Sequence, residues 1–326
     1  MQPDRTPCEL FALDRREFLR AVGGSAAAVA AGAVLGNPGA VSAAPTPTSA
    51  AETVVGEFYK TLTESQRGVI TFPFEHELRS RVNANWHVTK PTIDSDFFTV
   101  EQRQLVRDIA RNVCSPDGYE RLLKQTEFDD GGIGAYSVAV FGTPGQGKFQ
   151  WELTGRHLTL RADGDSVDKA AFGGPIVYGH GEEDPKDNLY HYQTKQVNEL
   201  YRALDPKQSA QALVEKAPKE DAVALQGAGK KYPGLPVSEL TSDQKTLFET
   251  TARMLLAPYR TEDVDEVMAI IKAGGGWDQV CVAFYQQGDL NADKTWDIWR
   301  VEGPSFVWHF RGAPHVHAYI NIGVKG

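Results

Sequence analysis

Cysteine is scarce, with three residues in a chain of 326, and no two of them form a Cys-x-x-Cys pair. That argues against a disulfide-built scaffold, a thiolate zinc knuckle and a dithiol redox motif. A Gly-x-Ser-x-Gly elbow and a dinucleotide fingerprint are also missing, which removes the sequence signals of a serine hydrolase and of a nicotinamide or flavin cradle. Positive charge is not in excess. The formal net charge is -9 with no basic stripe, which speaks against nucleic acid and anionic membrane surfaces as partners. No apolar run reaches the roughly 20 strongly hydrophobic residues that a spanning helix needs.

What is present begins with an export signature. Asp14-Arg15-Arg16-Glu17-Phe18-Leu19-Arg20 precedes an Ala- and Gly-rich stretch from Ala21 to Gly36 and then Val41-Ser42-Ala43. Twin arginines, a modest apolar region and a small-residue cleavage site predict a twin-arginine signal peptide over residues 1–43. The expected product is a soluble periplasmic or secreted protein with no stable membrane insertion, delivered by the twin-arginine machinery. Residues 44–50, rich in Pro, Thr, Ser and Ala, read as a flexible leader. Cys8 leaves with the signal, so only Cys114 and Cys281 remain to pair in an oxidising compartment.

The remaining chain, residues 51–326, is long enough for one large core. Apolar periodicity predicts a helix from about Ala51 to Gln66. A capping box, Thr99 with Gln102 three residues later, starts a second helix, and Ser115-Pro116 starts a third. The period then changes to two: Tyr136 to Phe141, Phe149 to Leu153 and Arg156 to Arg161 read as strands, followed by a Gly-rich loop from Gly173 to Gly181. Helices return near Thr194 to Leu204 and Pro206 to Glu215, and residues 216–236 read as a long surface connection. Leu240-Thr241-Ser242-Asp243-Gln244 then echoes Phe98-Thr99-Val100-Glu101-Gln102, and Trp299-Arg300-Val301-Glu302-Gly303 echoes Trp151-Glu152-Leu153-Thr154-Gly155. Blocks of helices followed by antiparallel hairpins give an α+β class; the echoes suggest two duplicated helix-helix-strand-strand halves at about 51–215 and 237–326, with chance similarity as the alternative.

The strongest chemical lead is Pro314-His315-Val316-His317. Alternate residues of a strand share a face, so His315 and His317 stand about 7 Å apart on one side, within reach of one metal ion. The bland alternative is two imidazoles bonded to neighbours or to solvent. Two other motifs fail on inspection. Gly142-Thr143-Pro144-Gly145-Gln146-Gly147-Lys148 has phosphate-loop spacing, but Phe149 stands where Ser or Thr is required and a strand follows, so it reads as a hairpin turn. Asp289-Leu290-Asn291-Ala292-Asp293 resembles a calcium loop, yet Lys294 and Arg300 occupy the places of its Gly and Glu.

Taken in order, Asn85-Trp86-His87, Glu101-Gln102-Arg103, Phe141-Gly142-Thr143-Pro144, Trp151, Gly155-Arg156-His157-Leu158, Gly303-Pro304-Ser305-Phe306 and Pro314-His315-Val316-His317 resemble the domain of unknown function 3500 family. The resemblance spans nearly the whole chain after the signal and implies no established activity. One departure matters, because the family usually has two consecutive histidines where this chain has Arg156-His157. Only His157 carries over.

His157, expected on an earlier strand, completes a three-histidine set with His315 and His317 that suits Zn²⁺ or Cu²⁺ with an open position. His180, between Gly179 and Gly181, is the candidate fourth ligand or general base. Glu152 and Glu302, in the two echoed motifs, are candidate ligands or bases, with solvated turn carboxylates as the alternative. Arg156 and Arg311 are candidate anion-binding groups, with salt bridging as their other role. His309 is read as core. The dense aromatics of the last strands are read chiefly as core, with a few available to stack on a small molecule or glycan. The expectation is a metal-dependent hydrolytic or oxidative enzyme; the competing expectation is a non-catalytic binding module with structural histidines.

Overall fold

The structure, a computed structural model, describes residues 44–182, 184–289 and 292–325. The twin-arginine segment lies outside the described residues, as do Glu183 of an acidic run and Leu290 and Asn291 of the calcium-like run. Among the described residues, eight helices flank one mostly antiparallel sheet of eleven strands, the α+β class that the pattern predicts. None of these helices is long and apolar enough to cross a membrane.

The single helix expected over 51–66 is two, α1 (Ala50–Thr61) and α2 (Glu64–Ile70). Thr63 restarts the helix by accepting the Gln66 backbone N–H, while the Gln66 side chain accepts the Thr63 N–H. A two-residue strand, β1 (Thr71–Phe72), follows. The Thr99 capping box opens α3 (Val100–Val113), and the Ser115 hydroxyl opens α4 (Pro116–Asp130), which ends at left-handed Gly131. Next come β2 (Ser137–Gly142), β3 (Phe149–Gly155), β4 (Leu158–Ala162) and β5 (Ile176–His180). The last of these corrects the expected loop over 173–181. Ile176, Val177 and Tyr178 are strong strand formers, and their burial between two neighbouring strands outweighs the flanking glycines.

The rest of the chain gives α5 (His191–Arg202), α6 (Pro206–Ala212), β6 (Leu213–Val214), β7 (Leu235–Pro236), α7 (Ser242–Leu256) and α8 (Thr261–Ala273). It ends with β8 (Cys281–Tyr285), β9 (Ile298–Gly303), β10 (Phe306–Arg311) and β11 (Val316–Ile322). The order of elements recurs, with α5, α6 and β6 preceding the α7–α8 pair as α1, α2 and β1 precede the α3–α4 pair. Thr71–Phe72 and Leu213–Val214 stand 142 residues apart, and each adds a parallel rung to the strand beside it. Gln66 with Gln102 and Gln208 with Gln244 are separated by the same interval, and each pair forms a reciprocal amide–amide contact. The spare amide protons reach Phe97 and Thr61 carbonyls in one pair, Glu239 and Ala203 carbonyls in the other.

The sheet runs β1-β2-β3-β4-β5-β11-β10-β9-β8-β6, with β7 beside β8. β5 and β11 meet at its centre, Tyr178 opposite Ala318. One face carries Trp151, Leu153, Leu160, Trp299, Trp308 and Phe310 under the helices in a single apolar core. The other face is polar. Glu152, Arg161, Arg300, Glu302, His309 and His317 alternate along its strands, and the long segments 73–98 and 215–240 lie over it, anchored by small clusters around Trp86 and Val223.

In residues 44–50, Pro45 is buried and Pro47 lies 3.0 Å from where a Cβ on Gly164 would stand, while Pro47, Thr48 and Ala50 are exposed. Two further expectations are decided here. Cys114 and Cys281 are not bonded to each other. The phosphate-loop look-alike is a hairpin turn, closed by the Gln146 N–H donating to the Thr143 carbonyl at 3.1 Å.

Candidate metal centre

β3 and β4 are joined by Arg156 and His157 alone, since Gly155 pairs with Leu158. His157 is therefore in a turn and not on a strand. Its φ of 56° is in the left-handed region, where non-glycine residues are uncommon. The conformation is held from both sides: its N–H donates to the Ala84 carbonyl at 2.6 Å, and its carbonyl accepts the Gln125 amide at 2.9 Å. The turn delivers the imidazole to the middle of the sheet, where Gly179 on β5 faces His317 on β11. A side chain at 179 would collide with the Val316 carbonyl at 2.3 Å and crowd the His157 Cβ at 3.1 Å, so glycine makes room for the ring.

Three imidazoles meet there. One ligating atom from each of His157, His315 and His317 can be chosen so that all lie within 4.8 Å of one another. The Nε2 atoms of His315 and His317 are 3.1 Å apart. Two nitrogens bound tetrahedrally at about 2.0–2.1 Å from zinc stand about 3.3 Å apart, so this pair is already spaced for an ion. The widest pair needs to close by about 1.5 Å at most. Ring centroids are 4.7 to 5.2 Å apart and none of the three pairs is stacked.

Two carboxylates orient two of the rings. Asp129, at the end of α4, accepts His157 Nδ1–H at 2.8 Å through one oxygen and the Gly181 N–H at 3.0 Å through the other. Its side chain is fully enclosed. Residue 181 must be glycine for this, because a Cβ would stand 2.6 Å from Asp129 Oδ1. Glu220, in the long segment over the polar face, accepts from His317 Nδ1 at 2.8 Å and from Arg311 Nη1 at 2.9 Å. With the His157 Nδ1 proton committed to Asp129, the Nε2 lone pair of His157 is free for a metal, the carboxylate–histidine arrangement that stiffens and strengthens such ligands, and His317 has the same arrangement in the tautomer that donates Nδ1–H to Glu220. Neither carboxylate carries a sequence signal. Asp129 looks like a solvated helix end, and Glu220 sits in a stretch without period.

Electrostatics keep the rings ready to coordinate. Burial, followed by the neighbouring His317 and Arg311, pushes His315 down to about 4, so it is neutral at physiological pH. Burial also lowers His317, outweighing its bond to Glu220. At Glu220 burial acts upward, but the His317 hydrogen bond and the Arg311 charge together hold the carboxyl below its ordinary value.

The other sequence candidates lie elsewhere or act differently. His180 pairs with Val316 across the strands, so its side chain points to the face opposite His317. Its Nδ1 accepts the Leu189 N–H at 3.4 Å and its ring lies 4.9 Å from Phe128. It is not a fourth ligand of this cluster. Glu152 is fully buried, ion-paired with Arg161 and bonded to Gln150. Arg161, its cross-strand partner, stands four residues from His157, about 13 Å along the strand, so Glu152 is not at the cluster. Glu302 is likewise a buried partner, bonded to Arg300 at 2.7 Å. Neither glutamate is the solvated turn residue of the bland reading. Arg311 bridges Glu220 and the histidines, with Nη2 2.9 Å from His317 Nδ1 and 3.4 Å from His315 Nε2. Arg156 is exposed beside His157. His309 is buried core, and burial lowers it to about 4.

No curated protein and no solved structure matches this chain. A family model matches residues 44–320, a span that contains all three histidines and both carboxylates of the cluster. The chain thus belongs to the DUF3500 family, described as proteins of unknown function.

Proposed function

We propose that this protein is an exported metalloprotein, and that His157, His315 and His317 hold a divalent transition ion, Zn²⁺ or Cu²⁺, in a metal-dependent enzyme. The observation that carries the reading is the convergence of three imidazoles, His157 from a turn, His315 from the bend that precedes β11 and His317 from β11 itself, two of them backed by carboxylates. A folded protein has little reason to bring nitrogen lone pairs together unless a cation or a proton lies between them.

A bound ion would supply Lewis acidity to water or dioxygen at the coordination position left open by three protein ligands. The chain's own part is to fix the rings. Asp129 holds the proton at His157 Nδ1, Glu220 and Arg311 flank His317 Nδ1, Gly179 and Gly181 admit the close approach, and the partly exposed His315 and His317 leave one side of the cluster open to solvent. His180 and Glu152 do not support a catalytic role from their observed positions. Delivery by the twin-arginine route is proposed from Arg15-Arg16 and the small-residue stretch that follows. An organic small molecule or glycan is the proposed substrate.

The 3.1 Å separation of His315 and His317 also suits an N–H···N hydrogen bond, which favours a second reading, a non-catalytic module with structural histidines. Metal analysis of protein purified after export from its native host separates the two. One ion per chain is expected, lost in the His315→Ala/His317→Ala double variant. Equal metal content in both proteins would eliminate the metal centre.

A further inference from the structure

We infer that the open side of the three-histidine site takes an oxyanion, a carboxylate or phosphate group, and that metal and anion bind together, each raising the affinity of the other. This rests on the proposed metal site and names the chemical class of its ligand.

The charges around the cluster carry the argument. Ligating imidazoles are neutral. Of the charged groups that border the rings, Asp129 and Glu220 supply two negative charges and Arg156 and Arg311 two positive, so these four sum to zero before a dication enters and to two positive charges afterwards, with the acids Asp130, Glu182 and Asp221 acting on the groups around them. Neither carboxylate is available to coordinate. Asp129 is enclosed with both oxygens engaged by His157 and Gly181, and Glu220 is held by His317 and Arg311 on the Nδ1 side of the ring, away from the Nε2 that faces the centre. Nothing in this inner arrangement neutralises an ion.

The two guanidiniums worsen the imbalance and also show how it is relieved. Arg311 Nη2 lies 3.4 Å from His315 Nε2, close to a lone pair that an ion would use. On the other flank, Arg156 Nη2 and His157 Cε1 lie 3.5 and 3.6 Å from one point above Gly181, so the guanidinium is within about 7 Å of the His157 ring, and its charge is among those that lower His315. Arg156 is exposed, and none of the ion pairs among the described residues uses it. A planar fork of donors on the rim, a second fork anchored by Glu220 and an uncompensated dication between them form a receptor for an oxyanion arriving from solvent. An uncharged ligand leaves the charges unbalanced. Because coupling between two bound species is reciprocal, the anion must tighten the metal as much as the metal tightens the anion.

The test uses the full chain after the signal, with Zn²⁺ titrated calorimetrically in a non-coordinating buffer, alone and with acetate, phosphate or uncharged acetamide. Acetate or phosphate should tighten Zn²⁺ binding by about 5- to 150-fold, the ordinary range for coupled sites, while acetamide does nothing. Acetate and phosphate assayed separately show which oxyanion the site prefers. In Arg156→Gln the ratio of affinities with and without anion should fall toward one, and Arg156→Lys should restore part of it. Thermal melts of both variants check that they are folded. Zn²⁺ binding that is tight but unaffected by either oxyanion overturns this inference and leaves the metal site standing. Failure to bind Zn²⁺ or Cu²⁺ under any of these conditions overturns the metal site and the inference with it.

Discussion

At the scale of single residues, the carboxylates behind the histidines offer the sharpest handle. Asp129→Asn leaves an amide against His157 in place of a charge, and Glu220→Gln does the same at His317. Each is expected to weaken metal affinity by about 10- to 100-fold while the fold persists, because the partner fixes the tautomer and raises the basicity of the ligating nitrogen. Competition against a chromogenic chelator measures this directly, and an affinity unchanged in both variants would show that the carboxylates play no part. The residues themselves differ in how readable they are. His315 and His317 can be paired from sequence because a strand has a period of two, although β11 begins only at Val316 and His315 stands in the bend just before it. His157 is visible only through its motif, since the left-handed turn that places it has no glycine to announce it. Asp129 and Glu220 are 28 and 97 residues from the rings they serve, and no local pattern connects them.

At the scale of elements, the reciprocal glutamine contacts explain how each pair of helices is joined. In the first, Gln66 at the N3 position of α2 and Gln102 at the N3 position of α3 close their own capping boxes and donate to each other's oxygens. Both are buried, so removing one leaves the other with unmet donors. Gln102→Ala is expected to cost about 1–3 kcal/mol. The Gln66→Ala/Gln102→Ala double variant should be less destabilised than the sum of the singles, by about 0.5–3 kcal/mol. Urea unfolding of the four proteins completes the cycle, and strict additivity would mean the contact is incidental. The capping box at Thr99 is legible from sequence; its partnership with Gln66 is not, because the first helix reads as continuous through residue 66. A proper start at Thr63 separates α1 from α2 and turns Gln66 toward its counterpart.

At the scale of the whole molecule, stability is shaped by acids on other elements, Asp163 buried and Glu266 partly so. Burial, followed by repulsion from Asp263 and Asp163, pushes Glu266 up to about 8, and burial raises Asp163 to about 6. Each group binds a proton in the folded chain at pH values where the unfolded chain has released it. Their contribution is therefore complete below the ordinary carboxyl range and is lost as pH rises through 6 to 8. The lowered His309 and His315 act in the opposite direction, losing stability as pH falls from 6.5 toward 4. Calorimetric melting temperatures should accordingly fall between about pH 6 and pH 8, and Glu266→Gln should flatten that decline. A variant with the wild-type slope would show that Glu266 does not titrate in this window.

The α+β class and most strand positions are legible because alternation and β-branched residues specify them locally. The pairing at the centre of the sheet is not, since β5 and β11 lie about 140 residues apart in the chain and no local pattern connects them.

That seam has a mechanical meaning for the histidines. His157 is contributed from one side of it and His315 and His317 from the other, so a single ion coordinated by all three would clasp stretches about 160 residues apart. Closing so long a loop removes freedom chiefly from the unfolded chain, as a covalent cross-link does. Chelation would then loosen the molecule at its midline, and the ion would act as a fastener as well as a reagent.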